Sequence, residues 1–128
     1  MDIWTVALWV GKIGFAAFFI MSGIGHLTNA KMMTAYAQSK KVPLAGAAVL
    51  VSGLMMLAGA VMILVSWHPI WGAALLVAFL LPAAFLMHNY WVETDPMMKA
   101  GQMAQFWKNL TIAAGAVLYA VCVHGGPH

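Results

Sequence analysis

Most of the titratable and amide side chains of this sequence stand where long apolar runs begin or end. His26 closes the first run, His88 and Asn89 close the third, and Lys108 and Asn109 open the fourth. Such groups are costly to bury away from water, so each is expected to be paired, to lie near an aqueous interface, or to belong to a site. If successive runs cross in opposite directions, all of these residues come to the same end of the assembly.

These side chains have the chemistry of a site for a flat, hydrophobic molecule with polar oxygens. His, Asn and Lys donate hydrogen bonds to carbonyl oxygens, while a neighbouring aromatic side chain such as Trp91 packs on a ring or its tail. A quinone head group fits this description, and no covalently bound cofactor is predicted. The predicted ligand-binding residues are Ser22, His26, His88, Asn89, Trp91, Lys108 and Asn109, with Lys12 as a further candidate.

Lys12 lies within the first apolar run, on roughly the same side of a helix as His26. At a rise of about 1.5 Å per residue it is roughly 13 Å from the start of that run, too deep for its amine to reach water easily. It therefore needs a partner inside the protein. Pro82 removes a backbone donor and so frees the carbonyl of Ala78. We expect Lys12 to bond that carbonyl or to stack on Tyr119.

These polar residues also have simpler interpretations than a ligand site. A histidine at a helix end is often an interfacial residue, and Lys108 paired with Glu93 or Asp95 would be an ordinary ion pair. A metal site would need three ligands, and His26 and His88 with Glu93 are one such combination. No close ligand spacing supports that combination, so no metal site is predicted.

The composition requires a lipid environment for these runs. Apolar residues make up 64% of the 128 residues and charged residues 7%, whereas a soluble domain of this size needs a charged, mixed surface. Each run is long enough to cross a hydrocarbon core of about 30 Å as a helix. We therefore predict an all-α integral membrane four-helix bundle that forms one domain over residues 1–128. The predicted spans are about 3–27, 43–65, 70–91 and 105–123.

The charges predict how the bundle is oriented and exclude some functions. The formal charge of +3 comes from scattered lysines with no arginine, so no nucleic-acid partner is predicted. The connectors after the first and third spans carry Lys31, Lys40, Lys41 and Lys99. This distribution predicts that both connectors lie in the cytoplasm and both termini outside it. Cys122 is the only cysteine, which excludes an intramolecular disulfide.

Small residues predict where helices approach each other closely. They recur in the second run at Ala45-Gly46, Ser52-Gly53 and Gly59-Ala60, and in the fourth at Asn109, Ala113, Ala116 and Ala120. Such seams allow helix backbones to pack in lipid. In the simpler interpretation they serve packing within the chain. In the other they serve association with a second copy or with a partner membrane subunit.

Several of these segments, in this order, resemble the DoxX family of four-helix bacterial membrane proteins over nearly the whole chain. The residues that carry the resemblance are Ser22-Gly23-Ile24-Gly25-His26-Leu27, Phe79-Leu80-Leu81-Pro82, His88-Asn89-Tyr90-Trp91, Asp95-Pro96 and Phe106-Trp107-Lys108-Asn109-Leu110. The resemblance implies a bacterial plasma-membrane protein. The family is named after a small subunit of an archaeal quinone-linked oxidoreductase acting on thiosulfate, and other members are linked to oxidative stress and thiol balance. One departure is Ser52, since many relatives place an acidic residue there.

Together these inferences predict an accessory or quinone-interacting subunit of a membrane redox system, with the lipid bilayer and a quinone as its partners. The alternative is a non-enzymatic bundle that binds a lipid or hydrophobic solute, or that scaffolds another membrane protein. Extractable quinone whose binding depends on His26 or His88 favours the first function. A stoichiometric partner that is lost on Gly53→Leu substitution favours the second.

Overall fold

The computed structural model describes residues 1–126 as five α-helices and one 3₁₀ turn. In chain order they are α1 (Ile3–Thr28), α2 (Ala30–Ser39), α3 (Ala45–Leu64), α4 (Pro69–Met87), the 3₁₀ turn Tyr90–Val92, and α5 (Pro96–His124). The predicted domain extends to His128, which lies outside the described residues. Four of the helices, all except α2, are long and apolar enough to cross a membrane.

The four long helices are apolar on their outward faces as well as on their inward ones. Large apolar side chains remain exposed along them, for example Val10 at 66%, Leu54 at 58% and Leu118 at 67% of their surface. Water would penalise this surface, whereas hydrocarbon accepts it, so lipid must surround the helices. The predicted fold, an all-α integral membrane four-helix bundle, is confirmed.

Acidic side chains cap the first and last helices. Asp2 accepts a hydrogen bond from the backbone amide of Thr5 at 2.8 Å, and Asp95 accepts one from the backbone amide of Met98 at 3.2 Å. Each cap satisfies an amide that has no partner within its helix. Because Asp95 caps it, α5 begins at Pro96 and contains several residues that precede the predicted span.

Two pairs of glycines set how closely neighbouring helices approach. A Cβ atom added to Gly23 of α1 would lie 2.9 Å from the carbonyl oxygen of Gly53 in α3. A Cβ atom added to Gly59 of α3 would lie 2.8 Å from the carbonyl oxygen of Gly72 in α4. Real Cβ atoms do not approach other atoms so closely, so only glycine permits these backbones to touch. The contacts hold α3 between α1 and α4, and α5 packs against α4.

The small-residue seams are used inside the chain. Gly53 faces α1, since a Cβ atom added to it would lie 2.8 Å from the Cβ atom of His26. On α5, the side chains of Asn109, Ala113 and Ala116 are buried. At Gly53 and Gly59 the interpretation as packing within one chain is confirmed. A Gly53→Leu substitution would therefore disrupt the bundle itself, and it is not a probe for a partner.

Side-chain contacts bring the first and third connectors together, as predicted. The Lys40 amine lies 3.3 Å from the Glu93 carboxylate, and the Tyr36 hydroxyl donates to the Met87 carbonyl oxygen at 3.4 Å. We call this end of the bundle, where both connectors meet, the connector end. The opposite end contains the start of α1, the α3–α4 turn and the end of α5.

Gly59→Ala is expected to lower the free energy of unfolding by about 1–3 kcal/mol, because the added methyl group meets the Gly72 carbonyl oxygen and forces α3 and α4 apart. Unfolding of the purified protein by SDS in mixed micelles, followed by circular dichroism, measures the change. Gly115→Ala is the matched control, since a Cβ atom there meets nothing within 4 Å. Equal unfolding midpoints for the two variants would contradict the proposed glycine contact.

Candidate functional site

A partly open cavity of about 730 Å³ lies at the connector end of the bundle. All five helices contribute to its wall, which is mostly apolar. The polar side chains that line it are Ser22, His26, Tyr36, Ser52, His88, Lys108 and Asn109. The structure therefore brings five of the predicted ligand-binding residues to one cavity: Ser22, His26, His88, Lys108 and Asn109.

His26 stands near the end of α1 with one ring nitrogen already engaged. Its Nδ1 atom donates to the Ser22 carbonyl oxygen, 2.9 Å away in the preceding helical turn. A carbonyl oxygen only accepts hydrogen bonds, so Nδ1 carries the proton of the neutral ring. The Nε2 atom is then left as an acceptor. The ring packs nearly perpendicular to that of Phe79, with the centroids 5.7 Å apart.

His88 is oriented by a chain of hydrogen bonds that joins three elements. Its Nδ1 atom donates to Gln102 Oε1 at 2.8 Å, and Gln102 Nε2 donates to the Tyr36 hydroxyl at 2.7 Å. The Tyr36 hydroxyl in turn donates to the Met87 carbonyl oxygen. Each group in this chain has one consistent donor and acceptor role, which places the His88 proton on Nδ1 and leaves Nε2 as an acceptor.

Sequence reasoning misses Gln102 and Tyr36 as supporting residues of the site. A signal for Gln102 is present, because it precedes Asn109 by two helical turns and so lies on the same face of α5. The predicted span begins near residue 105, which leaves Gln102 in a loop and hides this register. Tyr36 lies on the amphipathic helix α2, where the sequence predicts only an interfacial role.

Asn109 is a buried residue whose side-chain amide reaches the cavity. It is 5% exposed and lines the cavity, and its side-chain amide forms no hydrogen bond with another residue of 1–126. No fully buried side-chain nitrogen or oxygen atom among these residues lacks a partner, so the amide atoms of Asn109 are open to the cavity, where they can donate to a ligand oxygen. Beside it, the amine of Lys108 lies 5.5 Å from the ring centroid of Phe18, which also lines the cavity.

The ion pair at the rim of the cavity differs from the predicted one. Glu93 pairs with Lys40 at 3.3 Å, and the Lys40 amine also donates to Asn89 Oδ1 at 2.9 Å. The end of α2 brings Lys40 against the connector that carries both acceptors, whereas Asp95 is engaged in capping α5. The predicted pairing of Lys108 with Glu93 or Asp95 is therefore wrong. Asn89 lies at the rim, bonded to Lys40, and does not line the cavity.

Trp91 also lies outside the cavity wall. Its ring is 6.3 Å from that of Phe85 and 5.6 Å from that of Phe106, and half of its surface is exposed. This cluster joins the 3₁₀ turn to α4 and α5 on the outside of the bundle. Tryptophan in such a position is typical of a membrane interface.

Lys12 lies outside the cavity and has partners other than the predicted ones. Its amine donates to the Ser66 hydroxyl at 2.6 Å and lies 4.5 Å from the centroid of the Trp9 ring. Ser66 lies in the α3–α4 turn, where its φ is 58°. Because this turn is at the end of the bundle opposite the connector end, the Lys12 side chain extends away from the cavity to reach it. The expectation of a partner inside the protein is confirmed. Its assignment to the Ala78 carbonyl or to Tyr119 is wrong.

The cavity offers hydrogen bonds and one cation. Among residues 1–126, no group of three or more His, Cys, Asp or Glu side chains is close enough to hold a metal ion. The combination of His26, His88 and Glu93 is not assembled, because Lys40 holds Glu93 at the rim. An apolar wall with two imidazole acceptors, an amide and an ammonium group suits a hydrophobic molecule with a polar head.

Ser66→Ala is expected to lower the free energy of unfolding by about 1–3 kcal/mol, because the buried ammonium of Lys12 loses its hydrogen-bond partner. The same substitution should cost much less in a Lys12→Met background, where no buried charge needs the hydroxyl. SDS unfolding of the four proteins of this cycle measures the coupling. Ser39→Ala is the control, since its hydroxyl bonds the Tyr36 carbonyl of its own helix. A Ser66→Ala effect of the same size in both backgrounds would exclude the coupling.

Comparison with known proteins points to the class that the fold indicates. The sequence profile of the DoxX family matches residues 7–89. The chain is 26% identical over 116 residues to the inner membrane protein YphA of Escherichia coli (strain K12), an alignment that covers 91% of this chain and 82% of that protein. No solved structure matches the chain significantly. Because the family match runs through α1 to the end of α4, well over half of the sequence, the chain belongs to the DoxX family.

Proposed function

We propose that this protein binds a quinone in the cavity at the connector end and acts as an accessory subunit of a membrane redox system linked to sulfur or thiol chemistry or to oxidative stress. The observation that carries the proposal is Asn109, a residue that is 5% exposed and whose side-chain amide reaches an apolar cavity and forms no hydrogen bond with another described residue. Such a group favours a ligand that brings a carbonyl oxygen into hydrocarbon-like surroundings. The name of the Escherichia coli relative supports the inner membrane as the location.

The size and wall of the cavity suit a ring with the first part of an apolar tail. Small-molecule sites usually have volumes of about 300–1,000 Å³, and the cavity of about 730 Å³ falls within that range. The wall includes flexible methionines and aromatic rings, which pack on flat rings and on isoprenoid chains alike. Examples are Met33, Met55, Met56, Phe18 and Phe79.

The polar residues have separate roles in this proposal. Asn109 and Lys108 are adjacent in α5, and they donate hydrogen bonds to the ring oxygens of the quinone. His26 and His88 hold their Nδ1 protons in internal hydrogen bonds, so their Nε2 atoms accept protons from the hydroxyl groups of the reduced ring. These side chains bind the ligand, orient it and move protons. When the reduced ring gives up these protons, its two electrons pass to a partner protein.

We further propose that the connector end faces the cytoplasm. Lys31, Lys40, Lys41 and Lys99 all lie in or beside the two connectors, and lysines flanking spans are enriched on the cytoplasmic side. Both ends of the described chain then lie on the outer side. The quinone head would be bound at the depth of the cytoplasmic leaflet.

In a Cys122→Ala background, a cysteine at the exposed position Thr94 in the connector should react with a membrane-impermeant maleimide only after spheroplasts are permeabilised. A cysteine at Trp67, which is 61% exposed in the α3–α4 turn, should react in intact spheroplasts. The Cys122→Ala protein without an added cysteine is the blank. The reverse labelling pattern would contradict the orientation.

A second candidate function rests on a groove at the other end of the bundle. Between α4 and α5 a space of about 880 Å³ is lined almost wholly by small and apolar side chains. Examples are Ala74, Val77, Ala116, Val117 and Ala120. A lipid chain or an apolar helix would fit there, which favours a non-enzymatic lipid-binding or scaffolding role. Mass spectrometry of gently solubilised protein that finds phospholipid but no quinone would favour this second function.

Asn109→Leu is expected to weaken quinone binding about tenfold, which corresponds to about 1.4 kcal/mol and to the loss of one buried hydrogen bond. Leucine has the same branching as asparagine and breaks no hydrogen bond within the described chain, so the unfolding midpoint should stay equal or rise. Equilibrium binding of a short-chain menaquinone analogue in nanodiscs measures the affinity.

The matched control for this variant is Thr111→Val, whose hydroxyl bonds the Trp107 carbonyl of the same helix outside the cavity. Its quinone affinity should equal that of the unmodified protein. Unchanged affinity in Asn109→Leu would exclude the proposed contact. Failure of the unmodified protein to bind any quinone analogue would overturn the proposed function.

A further inference from the structure

The side-chain carboxylate groups of this protein all have structural partners outside the cavity. The chain has three acidic residues, Asp2, Glu93 and Asp95. Asp2 caps α1, and the hydrogen bond from the Thr5 amide lowers the pKa of its carboxyl group. Glu93 is neutralised by Lys40 at the rim, and Asp95 caps α5. None of the three lines the cavity.

The groups that do line the cavity are neutral or positive. The titratable ones are His26 from α1, Tyr36 from α2, His88 at the end of α4 and Lys108 from α5. The part of α3 that lines the cavity contributes no titratable side chain, and its polar residue is Ser52. The amine of Lys108 has the ring of Phe18 at 5.5 Å, and among the described residues no carboxylate pairs with it.

Lys108 is exposed, but it also lines the apolar cavity. A charge beside an apolar wall attracts an anion more strongly than a charge in bulk water does, because the wall lowers the local dielectric constant. An aromatic ring compensates the charge only in part, since a cation–π contact contributes roughly 0.5–2 kcal/mol. Asn109 lies beside this cation and adds amide donors that strengthen binding of an anionic oxygen. The protein therefore presents two donors, one of them charged, and leaves the negative partner to the ligand.

We propose that the cavity prefers a ligand whose ring carries an ionised oxygen, such as a deprotonated hydroxyquinone, and that Lys108 is the countercharge. This inference rests on the proposed function and names the ionisation state that the quinone site selects. The ionised oxygen lies between Lys108 and Asn109, and the apolar substituent points along Phe18 between α1 and α5. These two helices have no extensive contact in the described structure, which leaves room for a tail to reach the lipid.

A hydroxyquinone whose colour depends on its ionisation tests the preference for an ionised ligand directly. A 2-hydroxy-3-alkyl-1,4-naphthoquinone absorbs visible light in its ionised form, and its 2-methoxy analogue cannot ionise. Absorbance titration of the hydroxyquinone with protein in nanodiscs of zwitterionic lipid should show an apparent pKa about one unit below that in empty discs. One unit corresponds to about tenfold tighter binding of the ionised form. The 2-methoxy analogue should bind equally at both ends of the pH range.

Lys108→Met should remove most of this shift. It should also weaken binding of the 2-methoxy analogue, because Lys108 donates a hydrogen bond to the ring oxygens, so the apparent pKa of the hydroxyquinone and not the affinity reports the charge. Lys108→Arg should keep the shift, because it restores the charge. Lys99→Met is the matched control, since Lys99 is an exposed lysine of the same helix that does not line the cavity. It should titrate like the unmodified protein.

The outcomes separate the two proposals. If neither naphthoquinone binds, the proposed quinone function fails. If both bind but the pKa of the hydroxyquinone does not move, or moves equally in Lys108→Met, the quinone site stands and the anion preference is overturned. Loss of the shift in both Lys108→Met and Lys108→Arg also overturns it, because charge at this position would then not be the cause.

Discussion

The contact of glycine backbones is the constraint on which the rest of this bundle depends. Lipid tails compete for apolar side chains as well as a neighbouring helix does, so helices in a bilayer associate where their backbones come close. Gly23 against Gly53 and Gly59 against Gly72 fix α3 between α1 and α4. No comparable contact joins α1 to α5 in the described residues, and α5 is held by α4. The space that remains at the connector end is the cavity, so its position follows from which helix faces carry glycine.

The bilayer also decides how the few polar groups are used. Because the hydrocarbon core contains no water, each polar group needs a hydrogen-bond partner in the protein, and a group without one destabilises the fold. Lys12 reaches Ser66, and Lys40 joins Glu93 to Asn89. The amide of Asn109 forms no hydrogen bond with another described residue, but its atoms are open to the cavity and not fully buried. An amide that reaches an apolar cavity without a protein partner is a stronger indication of a ligand than the apolar volume alone.

The sequence predicts the class of the fold because composition and run length suffice for it, and it predicts the gathering of His26, His88 and Lys108 because topology suffices. It does not predict which charges pair. The choice of Lys40 over Lys108 as the partner of Glu93 depends on the path of α2, which a short amphipathic segment leaves open. Gln102 is missed because hydropathy marks the lipid-exposed part of α5 and not its true start at the cap Asp95.

The path of α2 also explains how the cavity is covered in part at the connector end. This helix is short and carries polar residues on one side, as helices at a membrane interface do. Its other side, with Met33, Tyr36 and Ala37, forms part of the cavity wall. Hydrogen bonds from Tyr36 and Lys40 attach it to the second connector. A head group bound under α2 would therefore lie at the depth of the lipid head groups, with its tail in hydrocarbon, so an amphiphile would enter from the bilayer without crossing water.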